Sequence, residues 1–209
     1  MMRWFKLGWV AFLVVFFLVF SAWYGGNGKP ISAEDGAKYL AQLDANYADM
    51  PEDERDLSKN LRAMIPNDDG KEFYAVNLEQ LKQGQAAQEA DAAYARLVIP
   101  LLLKRAGHPV FVSNRAGLML GEYGAEVDRV AVVRYRSLRD LLDMANDPAM
   151  QAGGHHKFAS LDHTEVFITR PTITFMHVRF VLALILILVG LAGLKVVELV
   201  TNRRNKDTA

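Results

Sequence analysis

Two long apolar stretches stand at opposite ends of this chain, with about 150 polar-patterned residues between them. Residues 7–24 carry no charged side chain. At about 1.5 Å of rise per residue such a run makes roughly 27 Å of helix, close to the hydrocarbon thickness of a bilayer. The second run, 180–194, reaches a spanning length when it is extended through Lys195 and Glu198 to Val200. The pattern predicts transmembrane helices within residues 1–25 and 175–201, a basic tail at 202–209, and a folded segment held to the lipid bilayer at both ends.

The flanking charges predict the orientation. Arg3 and Lys6 precede the first run, whereas Gly25, Gly26, Asn27, Glu34 and Asp35 follow it, and Arg203, Arg204 and Lys206 follow the second. Positive flanks favour the cytoplasm, so both termini are expected there, in an inner (cytoplasmic) membrane, with the central domain periplasmic or extracellular. Trp4, Trp9, Trp23 and Tyr24 lie near the ends of the first run, where amphipathic rings prefer the interface. The competing reading is a cleaved secretory signal, against which Ser21-Ala22-Trp23 is a poor cleavage site. Arg179 and Lys195 can snorkel to opposite headgroup layers. Gly190, Ala192 and Gly193 form a small-residue patch without the GxxxG spacing.

A formal charge of zero conceals a division: residues 25–175 hold 17 Lys and Arg against 22 Asp and Glu, while the flanks hold 7 against 2. An acidic middle with no basic stripe argues against nucleic acid as a partner. The chain contains no cysteine, which excludes disulfides, thiolate nucleophiles and cysteine-ligated metals.

Residues 26–70 read as a helical preface. Ser32 with Asp35 resembles an N-cap box, and Tyr39, Leu40, Leu43 and Tyr47 follow at helical spacing. Pro51-Glu52-Asp53-Glu54 is expected to open a second helix with Leu57, Leu61, Met64 and Ile65 on one side, and Pro66-Asn67-Asp68-Asp69-Gly70 breaks it. The acidic run suits a first helical turn, since its spacing is wrong for a calcium loop. From Lys71 the pattern changes to strands at 73–78, 109–116, 129–136 and 164–169, with helices at 86–106 and from Ser137 to Asn146. The order is βαββαβ, an α+β class in which four antiparallel strands carry helices on one face, the ferredoxin-like arrangement. Pro100 should kink or divide the long helix near Leu97. Ala131-Val132-Val133 runs without a polar interruption, so the second sheet face is expected to be covered, most simply by the same sheet of a second subunit in a homodimer.

These residues resemble the dimeric α/β-barrel superfamily, and within it uncharacterised domains near the antibiotic-biosynthesis monooxygenase type. The resemblance covers about residues 71–171. It is carried by Phe73-Tyr74-Ala75-Val76-Asn77-Leu78, the run 94–100 leading to Gly107-His108-Pro109-Val110-Phe111, the strand 130–135 with Ser137, Asp147-Pro148, Gln151-Ala152-Gly153, His155-His156-Lys157 and Thr169-Arg170-Pro171. It implies paired subunits whose sheets form a barrel, with a ligand cavity between each sheet and its helices. It says little about function, because such folds host monooxygenases, haem-modifying enzymes, isomerases and proteins without known activity.

The candidate ligand-binding set is Tyr74, Asn77, Asn114, Arg134, Tyr135 and His156, donors able to meet an anionic or carbonyl-bearing small molecule. The plainer alternative has the arginines flanking the sheet and pairing with Asp128, Asp140 or Asp143. His155, His156, His163 and Asp162 lie close in sequence, but adjacent histidines in an extended segment point to opposite sides, so no metal and no cofactor is expected. His108 reads as a helix-end turn residue and His177 as interfacial. No catalytic residue is assigned. The expected function is a membrane-tethered binding module for a small apolar or carbonyl-bearing ligand. The alternatives are a cofactor-free monooxygenase or isomerase of lipophilic substrates, and a structural assembly protein of the envelope.

Overall fold

The computed structural model describes residues 2–46, 56–174 and 177–206, with the side chains of 2, 3, 56–58 and 202–206 left aside. Tyr47 and the Pro51-Glu52-Asp53-Glu54 helix start therefore lie outside the described residues. Two compact units emerge: Met1–Tyr24 with Ile173–Ala209, and Gly25–Thr172.

The first unit is a pair of helices, α1 (Met2–Gly25) and α8 (Val178–Lys206). Within them Trp4–Gly25 and Val178–Thr201 are long and apolar enough to cross a membrane. The small-residue patch lets them approach. A Cβ on Gly193 would stand 2.6 Å from Trp9 Nε1, and one on Gly190 would stand 3.2 Å from Leu13 Cδ1. Farther along, the Arg179 guanidinium lies 5.7 Å from the centre of the Tyr24 ring. Numbers rise on one helix as they fall on the other, so the helices are antiparallel and Lys6 and Lys195 share an end. Phe12, Leu18, Leu184 and Leu188 point outward, an apolar surface suited to lipid.

In the second unit, α2 (Ala33–Asn46) starts where Ser32 Oγ accepts a hydrogen bond from the Asp35 amide at 3.1 Å, and α3 (Asp56–Met64) runs into a 3-10 turn (Ile65–Asn67). Asp68 closes the breaker: its Oδ2 accepts from the Ile31 amide at 2.8 Å and its Oδ1 from the Gly70 amide at 3.1 Å. Gly70 has φ +70°, and a Cβ there would lie 2.4 Å from the Lys29 carbonyl carbon, so both conformation and crowding require glycine. The preface does not stand apart from the sheet domain. Ile31, Leu43, Leu61 and Ile65 share one buried cluster with Phe73, Leu138, Leu142 and Ala145.

Four strands, β1 (Phe73–Leu81), β2 (His108–Asn114), β3 (Arg129–Tyr135) and β4 (Leu161–Thr169), form one antiparallel sheet in the order β2-β3-β1-β4. The chain is thus α+β, with helix α4 (Gln85–Lys104) between β1 and β2. Pro100 lies inside α4, which continues past it and is not divided. The connection from β3 to β4 differs from the expected single helix and polar loop. It holds α5 (Leu138–Ala145), α6 (Pro148–Gly153) and α7 (His155–Ser160). Ser137 caps α5; Asp147 then caps a new start with Pro148 in its first turn, and Gly154 separates the last two helices. His155 and His156 are accordingly helical, which corrects the extended placement.

Strand pleating sorts the side chains. Phe73, Ala75, Asn77 and Glu79 of β1, opposite Tyr135, Val133, Ala131 and Arg129 of β3, face the helices. Tyr74, Val76 and Leu78, opposite Arg134, Val132 and Val130, face the other way, flanked by Phe111 and Phe167, which are 50% and 46% exposed.

The contact of α1 with α8 predicts that Leu13→Cys together with Gly190→Cys forms an intramolecular disulfide in membranes, unambiguous in a chain without other cysteines. Adding Gly193→Leu should sharply lower its yield on a non-reducing gel.

Candidate functional site

The pleat divides the sequence-predicted residues between two faces. Tyr74 and Arg134 are cross-strand partners on the helix-free face. Arg134 is 1% exposed; its Nε and Nη2 donate to Glu72 Oε2 at 2.8 and 2.5 Å, and its Nη1 donates to the Ala106 carbonyl at 2.7 Å. Burial, and then the negative field of Glu72, push the Tyr74 phenol up. Asn77 and Tyr135 face the helices but stand apart, since Tyr135 is opposite Phe73, four residues and roughly 13 Å along β1 from Asn77. Tyr135 stacks on Phe73 with ring centres 5.3 Å apart, and burial pushes its phenol up. Asn114 sits exposed at the end of β2, opposite Arg129. His156 lies half-buried on α7 with its ring centre 4.2 Å from that of His155. His163 is on β4 opposite Gln80, and among the described residues no three His, Asp or Glu side chains converge on a metal position.

What the fold gathers around Asn77 is a set of charges between sheet and helices. The Asn77 amide is held by its own Nδ2, which donates to the Ala131 carbonyl at 3.0 Å, so its Oδ1 accepts from Lys157 Nζ at 3.1 Å. One residue pair along, Arg129 Nε donates to Glu79 Oε2 at 2.6 Å, and Arg129 Nη1 and Nη2 grip both oxygens of Asp91 at 2.9 and 2.7 Å. Two carboxylates thus both pair with one guanidinium, and one amine stands beside them on Asn77, the four groups drawn from β1, β3, α4 and α7. The Arg129 hydrogen bonds hold the Asp91 carboxyl below its ordinary range. Burial pushes the Lys157 amine below its ordinary range; the Glu79 field resists this and Arg129 adds to it.

Sequence reasoning passed over Glu79, Asp91, Arg129 and Lys157. Arg129 enters only as the start of a strand and Lys157 only within the His155-His156-Lys157 stretch, while Glu79 and Asp91 are not singled out. The available signal was period two: Glu79 follows Phe73, Ala75 and Asn77 on the face that carries the core. The plainer reading of the other arginines matches one contact, Arg136 Nη2 donating to Asp140 Oδ1 at 2.5 Å, although Arg134 takes Glu72 instead.

Two shallow hollows lie elsewhere in this unit. One, lined by Leu102, Arg105, Gly107, Tyr135 and Asp140, is too narrow for a water molecule; the other is an open depression of about 210 Å³ along Gln85, Glu89, Ala92 and Arg96. Neither contains Asn77 or Lys157.

No protein-family model matches the chain, and no curated protein matches it. Solved structures do. The RPA0582 protein of unknown function from Rhodopseudomonas palustris superposes with a TM-score of 0.52 at 20% identity, covering 56% of this chain and 94% of that one. An uncharacterised NIPSNAP domain protein from Burkholderia xenovorans gives a TM-score of 0.38 at 13% identity, covering 49% and 96%. SnoaB, a cofactor-independent oxygenase from Streptomyces nogalater, gives 0.36 at 15% identity, covering 51% and 98%.

Arg129→Met should leave Glu79 buried without its partner and lower stability to denaturant by about 3 kcal/mol, with Glu79→Gln added to it restoring part of the loss. Lys157 supplies a pH signature. Its folded pKa is depressed while the unfolded chain titrates near 10.4, roughly, so between the two the unfolded state binds more protons and stability rises with pH. Lys157→Met should abolish that rise in full-length protein denatured at a series of pH values. The solved-structure likeness establishes for residues around the sheet an α/β fold shared with the RPA0582 protein, and no activity.

Proposed function

We propose that the chain is a membrane-tethered, ferredoxin-like domain that pairs with a second copy and holds a small apolar or carbonyl-bearing ligand on the non-cytoplasmic side. The observation that carries the ligand is the Asn77–Lys157 pair. It is a polar pair between sheet and helices, next to the Arg129–Glu79–Asp91 ion group, where ligand groups that match it gain most and mismatched ones leave buried polar atoms unpaired. The sheet order β2-β3-β1-β4 and the helices placed to one side support the ferredoxin-like reading. The helix-free face supports pairing: Val76, Leu78, Val130, Val132, Phe111 and Phe167 together leave an apolar surface that a soluble domain covers with another sheet. The basic flanks support the reading of the membrane side, and the antiparallel contact of α1 with α8 agrees with it.

Native mass spectrometry of the full chain in detergent tests the two parts together. The expected result is a dimer carrying a small molecule, with Val132→Glu giving monomer and Asn77→Leu giving a dimer without the ligand. A wild-type monomer free of any retained molecule would contradict the reading. Reporter fusions in the β2–β3 loop should be active only outside the cytoplasm.

A further inference from the structure

We infer that Lys157 is a carbonyl-capturing amine: a site at which a small apolar aldehyde or ketone condenses with the side chain to form a reversible imine. The inference rests on the ligand reading above and names the chemical class and the atom. Three observations on the geometry carry it. The Lys157 side chain leaves α7 and ends between that helix and β1, where its Nζ has one hydrogen-bond acceptor among the described residues, Asn77 Oδ1 at 3.1 Å. Nitrogen in that position has unused capacity: a lysine ammonium carries three donors, and its free amine a lone pair. The acceptor is itself locked, because Asn77 Nδ2 is committed to the Ala131 carbonyl and Oδ1 must then face the amine. The residue as a whole is half-buried.

The charged groups nearby leave the amine without a dedicated counter-ion. Glu79 of β1 and Asp91 of α4 both give their carboxylates to Arg129 of β3, at 2.6 and 2.7 Å. Desolvation without a private carboxylate favours the neutral amine, which is the nucleophilic form, and its depressed proton affinity agrees. The step balances without a co-reactant. The amine nitrogen forms a bond to the carbonyl carbon, a proton passes from nitrogen to the carbonyl oxygen to give a carbinolamine, and loss of that oxygen as water leaves the C=N bond. Asn77 Oδ1 is placed to accept the N–H of the carbinolamine, a positioning role.

The test uses the full chain in detergent at neutral pH, with benzaldehyde as the probe, sodium cyanoborohydride to fix any imine, and peptide mapping to locate the label. The expected result is benzylation at Lys157 ahead of the exposed Lys38 and Lys71, whose side chains are 64% and 75% exposed. Asn77→Asp should slow labelling at Lys157, because a carboxylate beside the nitrogen holds it protonated, while labelling at Lys38 and Lys71 is unchanged. Lys157→Arg should lose the label at that site while Lys38 and Lys71 are labelled as before. Labelling of Lys157 no faster than of Lys38 and Lys71, in protein whose dimer and circular dichroism are intact, overturns the imine. If a natural small molecule is still retained equally by wild type and Lys157→Arg, the imine falls and the binding reading stands. If no molecule is retained and no label appears, both fall.

Discussion

Strand β1 is the constraint on which the central unit turns. Its nine residues, Phe73–Leu81, are hydrogen-bonded to β3 on one side and β4 on the other, so its register fixes which side chains meet on either face. A one-residue slip would exchange Asn77 and Glu79 for Val76 and Leu78, sending apolar groups into the charged layer and charges onto the open face. Asp128 guards that register: its Oδ2 accepts from the Leu81 amide at 2.9 Å where the β1–β4 pairing shifts. The same residue's amide bonds the Glu79 carbonyl at 2.9 Å, so the loop before β3 is tied to the end of β1.

Two kinds of cohesion then divide the labour. At the start of β1 the forces are apolar: Phe73 stacks on Tyr135 and joins the cluster of α2, the 3-10 turn and α5. Toward its end they are polar, ionic where Arg129 bridges Glu79 and Asp91 and a hydrogen bond to a neutral amide where Lys157 meets Asn77. A buried ionic layer contributes little net stability against an apolar replacement, because desolvation offsets most of the Coulomb gain. Its presence here therefore points toward specificity or chemistry more than toward stability. Tyr39 makes a smaller bridge of the same kind on the surface: its hydroxyl donates to Asp143 at 2.5 Å, and partial burial, followed by that carboxylate, pushes its phenol up to about 12.

The candidate site was the least legible part of the chain. Short runs rich in β-branched and aromatic residues showed that 73–78 and 129–136 are strands, and capping signals at Ser32 and Ser137 located two helix starts to the residue. The same local rules failed beyond Asn146, where Asp147-Pro148 restarts a helix that a polar composition had disguised as loop. They also failed at Asn77, which was named for its type, while its partner Lys157 lies 80 residues away and entered only in the His155-His156-Lys157 stretch. Spacing in sequence cannot disclose a contact made by two helices folding back over a sheet.

By itself the sequence determined the two apolar end helices, the acidic middle and the strand–helix alternation, since each is a property of neighbouring residues and the bilayer or the backbone reads it locally. The tertiary structure alone decided which of the predicted polar residues share a face, how Gly190 and Gly193 meet α1, and which amine is left with a single acceptor. Those follow from register and crossover packing, which bring together atoms that no periodicity relates.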